Sequence, residues 1–180
     1  IAINSYGFRE KNFNKKDWDN AKEKIIFLGS SITLGWGVKE EKNLTSLIEK
    51  TADSENKNWK IINAAVGNYN TERYINNFFE FYESFDPDVI VVQYFINDAE
   101  VLDNKRGNFL TRNFHLGVEL WKYIALFNTR LEETNIQDHY KKVYKSEAQN
   151  KIVFSELKKL SDDCDKHSKK CYVIFTPDLK

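Results

Sequence analysis

Four short apolar runs constrain what this chain can fold into: KIIFLG (24–29), WKIINAA (59–65), DVIVVQYF (88–95) and CYVIFT (171–176). Each is rich in β-branched residues, and none alternates apolar with polar. That is the pattern of a strand buried on both faces, as in a parallel sheet. Helical patterns lie between them. Residues 41 to 52 read as a weakly amphipathic helix. In NTERYINNFFEFYESF (70–85) the side chains of Tyr74, Ile75, Phe78, Phe79 and Tyr82 recur at helical spacing behind Asn70, an N-cap residue. Pro87 ends that helix and drives Asp86 out of helical geometry. After the polar excursion NDAEVLDNKRGN (97–108), an aromatic-rich helical stretch runs from about Phe114 to Thr129. A last helix starts at Ser146, where SEAQ has the Ser-x-x-Gln form of a capping box. Strands alternating with helices predict an α/β sandwich with a parallel sheet and right-handed crossovers, one doubly wound domain over residues 1–180.

Lys plus Arg balance Asp plus Glu at 27 each. Zero net charge gives no electrostatic reason to expect nucleic acid or an anionic membrane as partner. No apolar run approaches the roughly 18 residues of a membrane-crossing helix. The chain opens at Ile1 and contains no Met, so it reads as cut from something longer, with an export signal or anchor expected upstream and an extracytoplasmic location. Cys164 and Cys171, with six residues between them, either close a small loop in an oxidising compartment or remain free thiols.

In open parallel sheets the ligand crevice lies at the carboxyl ends of the strands. The first strand is followed by Gly29-Ser30-Ser31-Ile32-Thr33, the second by Gly67-Asn68-Tyr69-Asn70, the third by Asn97-Asp98. A hydroxyl, a glycine and an amide thus reach one edge of the sheet. Acyl transfer uses those groups together: a nucleophilic oxygen, and N–H donors aimed where a tetrahedral oxyanion forms. Ser31 is the candidate nucleophile and, through its own N–H, a donor; the Gly67 N–H and the Asn97 side chain are the further donors. Taken singly, each element has a plainer use, as a helix-capping loop, a turn glycine or an Asx turn. Trp36, Tyr69, Tyr94, Phe95 and Trp121 are candidates to line an acyl or sugar pocket, and Asp98 to bind substrate or to hold the Asn97 loop. Arg73 and Arg106 read as solvated surface, and NKRGN (104–108) as an exposed loop placed to act as a lid.

FLGSSITLGWGV, INAAVGNYNT and VVQYFINDAE resemble the first three sequence blocks of the SGNH (GDSL-type) esterase/lipase superfamily. INSYGFRE resembles the segment preceding the nucleophile block in some bacterial members tied to extracellular polysaccharide. The resemblance implies a flavodoxin-like three-layer α/β/α fold and ester hydrolysis through an acyl-enzyme on Ser31, with Gly67 and Asn97 as oxyanion donors. Its substrate would be a small-molecule or carbohydrate ester, and no metal or organic cofactor is implied. Some relatives transfer acetyl groups to or from glycans. Two departures stand out: Ser30 occupies a position usually held by Asp, and Phe95 one usually held by Gly.

A serine hydroxyl is a weak nucleophile without a base. The family's base is the histidine of an Asp-x-x-His motif after a final strand, and none of His115, His139 and His167 has an Asp three positions before it. The expectation is therefore a sandwich lacking its last strand and helix, with the Asp-x-x-His segment beyond Lys180 and the present chain catalytically impaired. The rival readings are a glycan O-acetyltransferase, a non-catalytic glycan-binding module on the same fold, or a nucleotide binder using the turn at residues 30 to 35. That last turn has neither the P-loop spacing nor G-x-G-x-x-G.

Overall fold

Glu23–Gly29 (β1), Trp59–Asn63 (β2), Val89–Tyr94 (β3) and Lys170–Phe175 (β4) form one all-parallel sheet in the order β2-β1-β3-β4. The computed structural model describes residues 3–10, 13–100 and 136–177. The order matches the first four positions of the doubly wound 2-1-3-4-5 arrangement. All four expected strands are present, shifted by one or two residues at their ends.

Alternate residues of the central strands feed two cores. Ile26, Leu28, Ile90 and Val92 point into the larger one, where they meet Trp18, Tyr74, Ile75, Phe78, Val153 and Leu160; Ile25, Phe27, Ile61, Val89 and Val91 form the smaller one, covered by Ile48 and Trp59. Burial of each such aliphatic side chain stabilises the fold by roughly 1.5–3 kcal/mol. The helices on the larger-core face are Lys15–Asp19 (α1), Thr71–Asn77 (α4), Ile136–Lys145 (α5) and Glu147–Lys166 (α6); Leu44–Ser54 (α3) covers the other face. A single turn, Ser31–Leu34 (α2), stands at the end of β1. The architecture is the three-layer α/β/α sandwich.

Four expectations need correction. CYVIFT reads as a strand buried on both faces, but β4 is the outermost strand among the described residues, with Tyr172, Ile174 and Phe175 at 54%, 45% and 71% exposure. Composition alone does not distinguish an apolar edge from an apolar centre. The helix expected over 70–85 is regular only to Asn77; a π turn over Phe78–Tyr82 and a 3-10 turn over Glu83–Phe85 follow. It stops where expected: Asp86, before Pro87, has left-handed φ of 49°. The helix expected over 41–52 splits into a 3-10 turn at Glu40–Lys42 and α3, which Asn43 caps by accepting from Ser46 N–H at 2.8 Å. Ser146 does begin α6, but its side chain makes no capping bond. Squeezed between two helices, it instead donates its own N–H to the Val143 carbonyl at 3.1 Å. Asn70 caps α4 as expected, accepting from Arg73 N–H at 3.0 Å. Cys164 and Cys171 are joined as a disulfide between the end of α6 and β4. The aromatic stretch 114–129, NKRGN, Arg106, Trp121 and His115 lie outside the described residues.

Candidate active site at the carboxyl edge of the sheet

Because β1 lies between β2 and β3, the residues following those three strands meet at one edge. The chain after β2 is tied to the end of β1 by Ala64 N–H to Phe27 O at 2.9 Å and Val66 N–H to Gly29 O at 3.2 Å. The chain leaving β3 turns through a 3-10 segment, Ile96–Ala99, which carries Asn97 and Asp98. Ser31, Gly67 and Asn97 are each half-buried, two, four and three residues after the ends of β1, β2 and β3.

The turn that presents Ser31 is heavily braced. Ser30 is the residue before α2, and its carbonyl accepts from Leu34 N–H at 2.9 Å. Gly35 closes the turn in left-handed geometry (φ 74°), the conformation a helix stop requires. Asn63, fully buried at the end of β2, donates its amide to the Thr33 carbonyl at 2.8 Å and to Thr45 Oγ1 at 3.2 Å. Sequence reasoning missed Asn63. Its signal was present, since a lone amide inside IINAA must find buried partners.

Around Gly67, Tyr69 N–H donates to the Val66 carbonyl at 3.2 Å, and the left-handed residue of this turn is Asn68 (φ 62°). Among the described residues, a Cβ built on Gly67 meets only Leu34 Cδ2, at 3.7 Å. The described surroundings therefore leave room for a side-chain methyl at 67.

The Asn97 segment is held from three sides. Asp98 Oδ2 accepts from Phe95 N–H at 3.0 Å, Thr71 Oγ1 donates to the Asp98 carbonyl at 3.0 Å, and Asn70 Nδ2 donates to the Glu100 carbonyl at 2.8 Å. Tyr144, from α5, donates to the Ile96 carbonyl at 3.0 Å and stands 2.9 Å from the Tyr94 hydroxyl. The Asn97 amide makes no hydrogen bond among the described residues, and its Oδ1 is buried without a partner. Asp98 is 1% exposed, so its carboxylate holds the loop from beneath. Tyr69 packs partly buried against the larger core, while Trp36 is 69% exposed at the rim.

Ser30 Oγ and Asp98 Oδ1 are both buried without a hydrogen bond of ordinary geometry, yet lie near enough for the hydroxyl to favour the carboxylate. Burial pushes the Asp98 carboxyl up from 3.8 to about 6, against the Phe95 N–H and the Ser30 and Tyr74 hydroxyls. A folded value above the unfolded one means that the native state binds the proton more tightly. The stabilising contribution is then complete below about pH 3.8 and is lost as pH rises through about 6, a swing of roughly 3 kcal/mol. Asp98→Asn should accordingly gain stability over wild type at pH 7.5 compared with pH 4. Denaturant melts at the two pH values check this, and an identical difference between the proteins at both would refute it.

His167 follows α6 and faces Asp163, Nδ1 to Oδ1 at 3.0 Å. It precedes β4, whose six residues span about 20 Å. It thus sits at the amino edge of the sheet, opposite Ser31. His115 and the His139 side chain lie outside the described residues. A cleft of about 400 Å³ is lined by Glu10, Asp17, Trp18, Glu49, Asp53 and Lys60 among others, and none of the three candidate residues lines it. No described helix is long and apolar enough to cross a membrane.

No family model and no curated protein matches the chain. Solved structures do. They include TesA (17% identity, TM-score 0.40), where the match covers 43% of this chain and 43% of that one. AlinE4, an SGNH-hydrolase family esterase, is 24% identical over 43% of this chain and 42% of its own, with a TM-score of 0.39. The psychrotrophic esterase EstA from Pseudoalteromonas sp. is 14% identical over 86% and 78%, with a TM-score of 0.44. The chain therefore spans less than half the length of the first two.

Proposed function

We propose that this chain is the nucleophile-bearing part of an SGNH-type serine ester hydrolase. The observation that supports the reading is that Ser31, Gly67 and Asn97 follow three neighbouring strands of one parallel sheet, within the three sequence blocks that resemble that superfamily. In the reaction, Ser31 Oγ attacks the ester carbonyl as a base takes its proton. The carbonyl oxygen becomes an oxyanion, received by the N–H groups of Ser31 and Gly67 and by the Asn97 amide. Collapse expels the alcohol, which is protonated by the conjugate acid of the base, and leaves an acyl-Ser31 that water hydrolyses by the same steps. Each oxyanion donor contributes about 3–4 kcal/mol of transition-state stabilisation.

The base belongs, in this reading, to an Asp-x-x-His pair C-terminal to Lys180. The substrate is a small or carbohydrate O-acyl ester, with Trp36 and Tyr69 as candidates to contact it. Support for the hydroxyl chemistry comes from Ser31 itself, whose side chain is bonded to no described residue while the turn beneath it is fixed by Asn63.

A fluorophosphonate probe applied to the full-length protein should label Ser31, and Ser31→Ala should abolish labelling. Equal labelling of Ser31→Ala, or none of Ser31 in the full-length protein, overturns the assignment.

A further inference from the structure

Arg9 lies in INSYGFRE, ahead of every strand, and is 6% exposed. Nη1 donates to the carbonyls of Leu34 and Gly35, and Nη2 to that of Val38. Among the described residues no carboxylate pairs with it. A guanidinium taken out of water at this cost is retained only where its donors are well used. Here they converge on the far end of α2, the single turn that begins with Ser31.

That end needs such a partner. A one-turn helix leaves its last carbonyls without a following turn to accept from, and they carry the negative end of the local dipole. Gly35 and Trp36 N–H groups satisfy Ile32 and Ser31, and the Val38 N–H reaches the Gly35 carbonyl at 3.2 Å; Arg9 adds a donor to that carbonyl and supplies one to the Leu34 carbonyl, which no described backbone N–H reaches. The fit is reciprocal: a Cβ on Gly35 would stand 2.9 Å from Arg9 Nη1. The guanidinium fills the space that glycine leaves. A lysine has no planar fork with which to bridge three carbonyls.

We propose that Arg9 is a positioning residue for Ser31. Together with Asn63 it clamps α2: Asn63 holds the Thr33 carbonyl from the sheet side, and Arg9 holds the carbonyls beyond it and the loop that carries Trp36. The clamp keeps the Ser31 N–H and Oγ aimed at the same reacting centre. This inference rests on Ser31 being the nucleophile, and it adds a role for a residue some twenty positions upstream.

The test uses the full-length protein and the variants Arg9→Lys, Arg9→Met and Arg9→Gln. The rate of Ser31 labelling by fluorophosphonate, and kcat and KM on p-nitrophenyl acetate, are measured well below each variant's Tm. Misplacement of a reacting group by an ångström costs about a hundredfold, so kcat and labelling should fall by about that factor in Arg9→Met. KM should stay within about threefold, since a residue that does not touch substrate leaves uniform binding intact. Lysine should recover little of the loss. Folded variants with wild-type kcat overturn the proposal, as does a rise in KM with kcat intact. So does failure of all three to fold, because Arg9 would then serve the whole fold rather than the turn. Absence of labelling in the wild-type protein removes the nucleophile assignment first, and this inference with it.

Discussion

Gly29→Ala is expected to be the most damaging single methyl group that can be added near the site. Its Cβ would lie 2.1 Å from Thr33 Oγ1, 2.9 Å from Thr33 Cβ and 3.0 Å from the Gln93 carbonyl. Neither neighbour can retreat cheaply. Thr33 is 1% exposed and its carbonyl is held by Asn63, and Gln93 belongs to β3, in register with Gly29 itself. Overpacking of this kind costs about 3 kcal/mol or more. In a chain of this size that lowers Tm by roughly 6–12 °C. Thermal and urea melts of Gly29→Ala measure it. Adding Thr33→Ala should restore part of the loss, since Thr33 Oγ1 is buried without a partner and its removal sacrifices no hydrogen bond. The Gln93 carbonyl remains in the way, so recovery should be incomplete. A Gly29→Ala protein within about 1 kcal/mol of wild type would show that the strand-to-turn junction is not sterically sealed.

Asn97→Ala is expected to do the reverse, leaving the fold and removing the rate. Nothing among the described residues bonds to the Asn97 side-chain amide, so truncation breaks no internal bond, and the segment stays pinned by Asp98, Thr71, Asn70 and Tyr144. Loss of one oxyanion donor lowers kcat by about 10²–10³-fold. In the full-length protein kcat should fall by that factor while Tm moves little. A comparable loss of stability would make Asn97 a structural residue, and an unchanged kcat would remove it from the oxyanion site. Gly67→Ala is a useful companion, since among the described residues its methyl meets only Leu34 Cδ2, at 3.7 Å. It should fold as wild type does, so that any loss of rate reports crowding of the reacting carbonyl.

Much of this architecture was legible from local pattern. Apolar runs without alternation marked the strands, Asn70 marked a helix start, and Pro87 marked a helix end that Asp86 confirms with its left-handed φ. Turn chemistry after the strands singled out Ser31, Gly67 and Asn97. The reading failed where local pattern is degenerate. CYVIFT looks buried on both faces, yet most of its side chains are exposed among the described residues. SEAQ looks like a capping box and makes no cap bond. The FFEFY segment keeps a helical apolar spacing but winds as a π turn.

What the sequence determined by itself is therefore the set of strands and the residues placed at their ends, because hydrophobic period and turn chemistry act over a few neighbouring residues. The tertiary structure alone decided which ends meet. The order β2-β1-β3 places the turn after β1 between the other two, sets Asp98 beneath Ser30, brings Asn63 to Thr33, and carries Arg9 to the carbonyls of Leu34, Gly35 and Val38. Those pairings join residues about 25 to 70 positions apart. They exist because buried donors and acceptors must find partners across the sheet edge, a requirement that no local stretch of chain reveals.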